Sequence, residues 1–243
     1  MVLCAMRFPR CLITKCFVMR KKVHSAAGLI ELVNEMGMLP LLRLGIEGWS
    51  AEDLVDEDCQ YVVLPDGGWE WPLWEWKGSV IRESGCAYGK FLLGKAAFIS
   101  QDLWPDFCNF RRSFNPYPTE GSVQESVLEI LKTNGSMTTR DLRRACGFTE
   151  PKMRGKFDTI VSRLQMQTYI VTEDFVYPHD KHGKQYGWGW SLLTTPESLF
   201  GRDACHVGRS PEASLARLAE RMMAVVPQFE CEEDCASVLK KMS

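Results

Sequence analysis

The sequence predicts an α+β protein: an N-terminal mixed domain with an aromatic-rich sheet, a central winged-helix domain and a helical C-terminal tail. Three observations carry that expectation. Residues 122–193 run as three amphipathic helical patterns followed by two strand patterns around a polar tip. Residues 69–76 hold two pairs of alternating tryptophans, a strand signature. Beyond residue 210 the apolar positions recur at helical spacing. The expected divisions are a disordered extension over 1–23, the N-terminal α+β domain over 24–118, the winged helix over 119–200 and the tail over 201–243.

In the first part, Leu29, Ile30, Leu32, Val33 and Met36 predict a helix over 24–36 that Gly37 ends. Leu39, Leu41, Leu42 and Leu44 read as a short apolar strand interrupted by Pro40. Ser50-Ala51-Glu52-Asp53 opens a short acidic helix over 51–55. Residues 62–64 precede a turn at 65–68. Trp69 with Trp71, and Trp74 with Trp76, then point to one face of a strand, where an aromatic row can stack on bases. The plainer reading buries the same row in the first core, as tryptophan usually is. Residues 91–100 read as further strand, and 106–112 with Tyr117-Pro118 as exit and linker. Gly89 to Ala96 has the spacing of a phosphate loop, but Ala96 stands where a magnesium-binding hydroxyl is needed. Phe91-Leu92-Leu93 also fill the interval, so nucleotide hydrolysis is set aside; Lys90, Lys95, Arg111 and Arg112 instead contribute to a basic face.

The central unit follows. Val123, Val127, Ile130 and Leu131 give the first helix, with Ser122 as its N-cap, and Asn134-Gly135 turns the chain. Thr138 and Asp141 resemble a capping box for a second helix that stops at Gly147. Pro151 suits the first turn of a third, whose buried stripe is Phe157, Ile160, Val161 and Leu164. Residues 168–172 are rich in β-branched side chains and read as a strand. A polar tip over 178–187 leads to a return strand over 188–193. Three helices and a hairpin in this order predict a winged helix. Thr195-Pro196-Glu197 starts a short helix to Phe200, and Ser210-Pro211-Glu212 a longer one with Leu215, Leu218, Met222 and Val225 on its apolar side. A last helix is expected within the acidic residues 230–243.

Composition bounds the function. The 243 residues suffice for one large or two small domains. A formal net charge of -2 excludes a histone-like polyanion binder and leaves room for a local basic patch. Ten cysteines without a CxxC pair read as reduced thiols in a cytoplasmic protein. Cys231 and Cys235 stand at i, i+4 without matching partners, so no metal is expected. Residues 1–22 carry Arg7, Arg10, Lys15, Arg20, Lys21 and Lys22 and no acid. Lys15 interrupts the apolar run that a signal peptide needs, so this segment is expected to be disordered, or to precede a true start at Met19. No segment approaches the apolar length of a membrane span.

Arg140, Arg143, Arg144, Lys152, Arg154, Lys156 and Arg163 fall on or between the second and third helices, and Lys181 and Lys184 on the wing tip. In a winged helix the third helix enters the major groove while neighbouring cations hold phosphates, so these nine are the DNA-binding candidates. A solvated helix face is the plainer reading. Gln165 and Gln167 alternate around Met166; if that tripeptide is extended, both amides face one way and can hold a water between donor and acceptor. Such a pair suits hydrolysis of the N-glycosidic bond of a cationic, alkylated purine, which needs a placed water and little base catalysis. Alternatively both side chains cap the helix end or face solvent.

The stretch Arg163-Leu164-Gln165-Met166-Gln167-Thr168-Tyr169 resembles the AlkZ-related proteins. So do Gly155-Lys156-Phe157-Asp158, Tyr186-Gly187-Trp188 and Thr195-Pro196-Glu197 around it. In the first domain the resemblance extends to Trp76-Lys77-Gly78, Tyr88-Gly89-Lys90-Phe91, Gly94-Lys95-Ala96 and Phe107-Cys108-Asn109-Phe110-Arg111-Arg112. It implies a winged-helix relative of the AlkZ DNA glycosylases, which excise alkylated or crosslinked purines with a Gln-x-Gln or Gln-x-Asp pair that handles the attacking water. It thereby implies Gln165 and Gln167 as catalytic residues, double-stranded DNA as partner and no cofactor. The damaged nucleotide would leave the stack, with Trp69, Trp71, Trp74 or Trp76 stacking on a base. The alternatives are a non-catalytic winged-helix transcriptional regulator and a protein-interaction module. The oligomeric state stays open.

Overall fold

Residues 22–183 and 188–242 are described by the computed structural model. The extension expected over 1–23 falls outside them except for Lys22 and Val23, as do Lys184 and the rest of 184–187 at the expected wing tip.

Ser25 opens α1 (Ala26–Met36) by accepting from the Gly28 amide, and Gly37 ends it at φ 72. The chain continues through β1 (Met38–Pro40), α2 (Ala51–Leu54, capped by Ser50), a 3-10 turn at Glu57–Cys59, β2 (Val62–Val63) and β3 (Trp69–Glu70). Then come α3 (Pro72–Ser84), β4 (Ala87–Leu92), β5 (Lys95–Ile99) and α4 (Trp104–Ser113). The strands β1, β5 and β4 form an antiparallel sheet in that order. Pro40 lies on edge strand β1, the place in a sheet that tolerates a missing donor.

Four expectations for this part are corrected. The strand expected to run to Leu44 stops at Pro40, although the Leu41 amide still reaches the Ala96 carbonyl. The aromatic strand over 69–76 breaks at Pro72, which takes the first turn of α3, where its missing N–H costs nothing. Trp74 and Trp76 are therefore helical and about 200° apart around the axis, not on one face. The strand expected over 91–100 is a hairpin, because Leu93 and Gly94 turn at φ 52 and 69. The linker expected over 106–112 is helix α4: Phe107, Phe110 and Arg111 are all buried at helical spacing.

A second core is built from α5 (Val123–Asn134), β6 (Met137–Thr138), α6 (Thr139–Ala145), α7 (Arg154–Met166), β7 (Val171–Val176) and β8 (Trp190–Thr194). A 3-10 turn at Pro151–Met153 leads into α7. The strands form an antiparallel sheet ordered β6-β8-β7. Its interior holds Val127, Leu131, Leu142, Phe157, Leu164 and Ile170.

The chain ends in α8 (Pro196–Phe200), α9 (Pro211–Val225) and α10 (Glu232–Lys241). These last helices are no appendage. Leu218, Met222, Val225, Cys235 and Leu239 are buried in the same core as α1, α3 and the β4–β5 hairpin. The two ends of the chain thus complete one core, and the second stands between them in sequence. Val171 of β7 is buried in the first core, and Phe175 packs against it, its ring 5.9 Å from that of Tyr88. The chain adopts the mixed α+β composition that the sequence predicts. No helix among the described residues is long and apolar enough to cross a membrane.

Candidate functional site

Helix α7 presents three stripes. Phe157, Ile160, Val161 and Leu164 face the second core. Lys156 and Arg163, seven residues apart, line a shallow recess with Gln124. Asp158, Ser162 and Gln165, at i, i+4 and i+7, share a third stripe that faces a cleft between the two cores.

The end of α7 decides where the glutamines go. Thr168 donates its amide to the Gln165 carbonyl at 2.8 Å, and Tyr169 donates to the Leu164 carbonyl at 2.9 Å. That is a Schellman closure with Thr168 at the left-handed position, φ 64. Glycine usually stands there; a buried β-branched residue at this angle stores strain. Gln165 and Met166 are therefore helical, Gln167 caps the helix at φ -81 and ψ 1, none of the three is extended, and the strand expected from Thr168 begins only at Val171. Gln165 and Gln167 leave the helix in opposite directions. Gln165 is 4% exposed; its Oε1 accepts from the Lys90 amide at 3.1 Å, and its Nε2 donates to the Thr172 hydroxyl at 3.4 Å. Gln167 turns away and donates to the Asn115 side chain at 3.1 Å. The expectation that both amides share one water is not met by this geometry.

The cleft above Gln165 encloses about 330 Å³, at the lower end of volumes for small-ligand sites. Its polar floor is Gln165, Thr172, Ser162 and Asp158; its walls are Trp74, Tyr88, Phe175, Trp188 and Trp190. Lys90, whose ammonium donates to Ser162 Oγ at 3.2 Å, closes one side. At the rim Trp188 stacks on Trp69 at 4.7 Å between ring centres and meets Trp74 edge-on at 5.6 Å. Trp69 and Trp188 are 46% and 50% exposed, so this stack is a surface feature. Of the four tryptophans expected in a row, Trp74 alone lines the cleft. Trp71 stacks on it at 5.0 Å, and Trp76 packs against the first core. Trp74 also carries a buried indole N–H with no acceptor among the described residues.

Behind the Trp74 wall lies Lys77, fully buried. Its ammonium sits 4.0 Å from the centre of the Trp74 ring and 4.3 Å from that of Phe175, and donates to the Trp74 carbonyl at 2.8 Å. Burial pushes its pKa down to about 7, against a smaller upward pull from Glu75. Aromatic faces and a carbonyl return part of the lost hydration.

The expected DNA-binding cations divide. Arg140, Arg144, Lys152, Arg154, Lys156, Arg163 and Lys181 are exposed and Arg143 is half-buried. Arg140 lies over the Trp190 ring at 5.3 Å. Lys152 pairs with Glu150 at 2.8 Å, and Arg144 approaches Asp141 at 4.0 Å. Lys156 and Arg163 make no ion pair among the described residues, and Lys184 lies outside them. Sequence reasoning missed Asp158, Lys77, Trp188 and Trp190 as parts of one site. The i, i+4, i+7 spacing of Asp158, Ser162 and Gln165 was the one available signal; the others come together only through the packing of β7 and β8 on the first core.

A family model described as AlkZ related matches residues 23–239, well over half of the chain, and the chain belongs to that family. No curated protein and no solved structure matches it.

Proposed function

We propose that this member of the AlkZ-related family is a winged-helix DNA-binding protein that hydrolyses the N-glycosidic bond of alkylated purines in double-stranded DNA. The observation that carries the reading is Gln165, a non-titrating amide on the floor of an aromatic-walled cleft. The order helix, strand, helix, helix, strand, strand over 123–194, with its small antiparallel sheet, supports the winged helix. The exposed cations of α6 and α7 supply phosphate contacts beside the cleft. A flipped nucleotide enters the cleft and stacks against Trp74, Trp188 or Trp190. Gln165 holds a water at the anomeric carbon. The water's oxygen bonds to that carbon, and its extra proton passes to bulk water. The bond to the base breaks, and its electron pair cancels the positive charge of the alkylated purine. Gln167 acts one step back, by tying the turn to Asn115. Metal and organic cofactors have no part in this scheme. None of the seven described cysteines is in a disulfide, which supports a cytoplasmic setting.

The test is base release from duplex DNA carrying N7-methylguanine, scored as abasic sites after alkaline cleavage, with Gln165→Ala as control. Cleavage that disappears in the control is the expected result. One observation favours a second reading, a non-catalytic regulator: both ends of the Gln165 amide are already bonded to the protein, as in a structural strut. Tight binding without cleavage would be its signature. Neither binding nor cleavage would favour a protein-interaction module.

A further inference from the structure

We propose that Asp158 selects the charge of the base, admitting a positively charged purine to the cleft and rejecting a neutral one. The inference rests on the cleft being the base site, as above, and assigns to it a residue outside the glutamine pair.

Asp158 lies on the same stripe of α7 as Gln165, seven residues toward the N-terminus. Seven helical residues rise about 10.5 Å, so the two side chains mark opposite ends of the cleft. That separation suits a nucleoside lying along α7, with its sugar at Gln165 and the outer edge of its base at Asp158. The carboxylate is half-buried and makes no hydrogen bond or ion pair among the described residues, although every other polar floor group is engaged. A half-desolvated carboxylate without a partner is costly, and a cation beside it recovers that cost. The remaining surroundings point the same way. Trp74, Trp188 and Trp190 line the same space, and aromatic rings attract a delocalised cation. Among the described residues, the one cation lining the cleft is Lys90. Its ammonium is held by Ser162, midway along the stripe, and it is exposed, so solvent screens it. A neutral base entering the same space would desolvate Asp158 without compensating it. The carboxylate thus discriminates by what it refuses as well as by what it attracts.

The experiment compares wild type with Asp158→Asn, which keeps the shape and removes the charge. Binding of N7-methylguanosine and of guanosine is measured by calorimetry in mildly acidic buffer, where the methylated nucleoside is cationic. Wild type is expected to prefer the cation at least ten-fold, and Asp158→Asn to lose that preference by binding N7-methylguanosine more weakly and guanosine more tightly. Base release is followed in parallel, with N7-methylguanine and hypoxanthine as the cationic and neutral lesions in duplex DNA. Wild-type release that keeps its lesion preference in Asp158→Asn would overturn the proposal and leave the glycosylase reading intact. An Asp158-dependent preference for N7-methylguanosine without any release would uphold the proposal and end that reading. Equal affinity of wild type for both nucleosides would overturn the proposal outright.

Discussion

Arg112 holds Thr168 at two atoms: its Nη2 donates to the Thr168 carbonyl at 2.7 Å and its Nε to the Thr168 hydroxyl at 3.2 Å. The same guanidinium pairs with Glu197 at 2.7 Å and lies over the Tyr169 ring at 4.5 Å. Thr168 is the residue forced to positive φ where α7 closes, three residues after Gln165. The strained turn that aims Gln165 into the cleft and Gln167 out of it is thus clamped from α4, an element of the first core. The two cores meet through this clamp and through the bond from the Lys90 amide to Gln165.

Replacing Arg112 with Met keeps the stem and removes both donors. It leaves the Thr168 carbonyl, buried in the turn, without its partner. The expected loss is about 2 kcal/mol in urea-induced unfolding, from one unsatisfied buried acceptor. Glu197→Gln should cost less than about 1 kcal/mol, because that pair is partly exposed. Equal losses for the two variants would show that the ion pair, and not the turn, is what Arg112 serves.

Lys77 predicts a pH dependence of stability. Its folded pKa is about 7, whereas a lysine in the unfolded chain titrates near 10.4. Between those values the unfolded state binds one more proton, so stability rises with pH, by up to about 1.4 kcal/mol per unit. Lys77→Met removes that slope. The variant should exceed wild type most at neutral and lower pH, and its margin should shrink as pH climbs toward 10. A margin independent of pH would mean that the ammonium is as well solvated in the fold as outside it.

Much of this was legible in the sequence. Ser50, Ser122, Thr138, Thr195 and Ser210 each cap the helix that the sequence predicts after them, because a cap is a local interaction between a hydroxyl and an amide two or three residues on. The alternation of Trp69, Trp71, Trp74 and Trp76 misled, because Pro72 turns the chain from strand to helix in the middle of the pattern. The alternation of Gln165 and Gln167 misled for a related reason. A Schellman turn built on threonine carries no glycine to announce it, so the sequence reads as a helix ending at Leu164, short of its end at Met166. The cleft itself could not be read, since Lys90, Asp158 and Trp188 belong to three separate segments that only packing brings together.

Because Gln165 and Gln167 point apart, they should not behave as a pair. Gln167→Ala removes one partly buried bond to Asn115 and should cost about 1 kcal/mol of stability while leaving most base release intact. Gln165→Ala should lower release by at least about ten-fold, in the range lost with other groups that place a reacting atom. Each measurement is a single-turnover rate on N7-methylguanine duplex, with folding checked by circular dichroism. Equal loss in both variants would mean that the helix end rearranges on DNA and brings the amides together after all.

The cations of α7 separate the DNA-binding readings from the protein-interaction one. Each Lys or Arg that neutralises a phosphate releases a counterion, so log K falls with log salt by about 0.9 per contact. Lys156 and Arg163 share a face, are exposed and have no ion pair among the described residues, so nothing in the fold competes for them. Lys156→Ala and Arg163→Ala should each lower duplex affinity and make the salt slope shallower by about one unit, and the double variant by about two. Lys152→Ala should change the slope less, because Glu150 already holds that ammonium at 2.8 Å. The slopes come from fluorescence anisotropy on undamaged duplex across a salt series. Undamaged DNA is the right probe, because phosphate contacts ignore the lesion and report the docking of α7 alone. A wild-type slope near zero would remove DNA from the account of α7 and turn its charged face toward a protein partner.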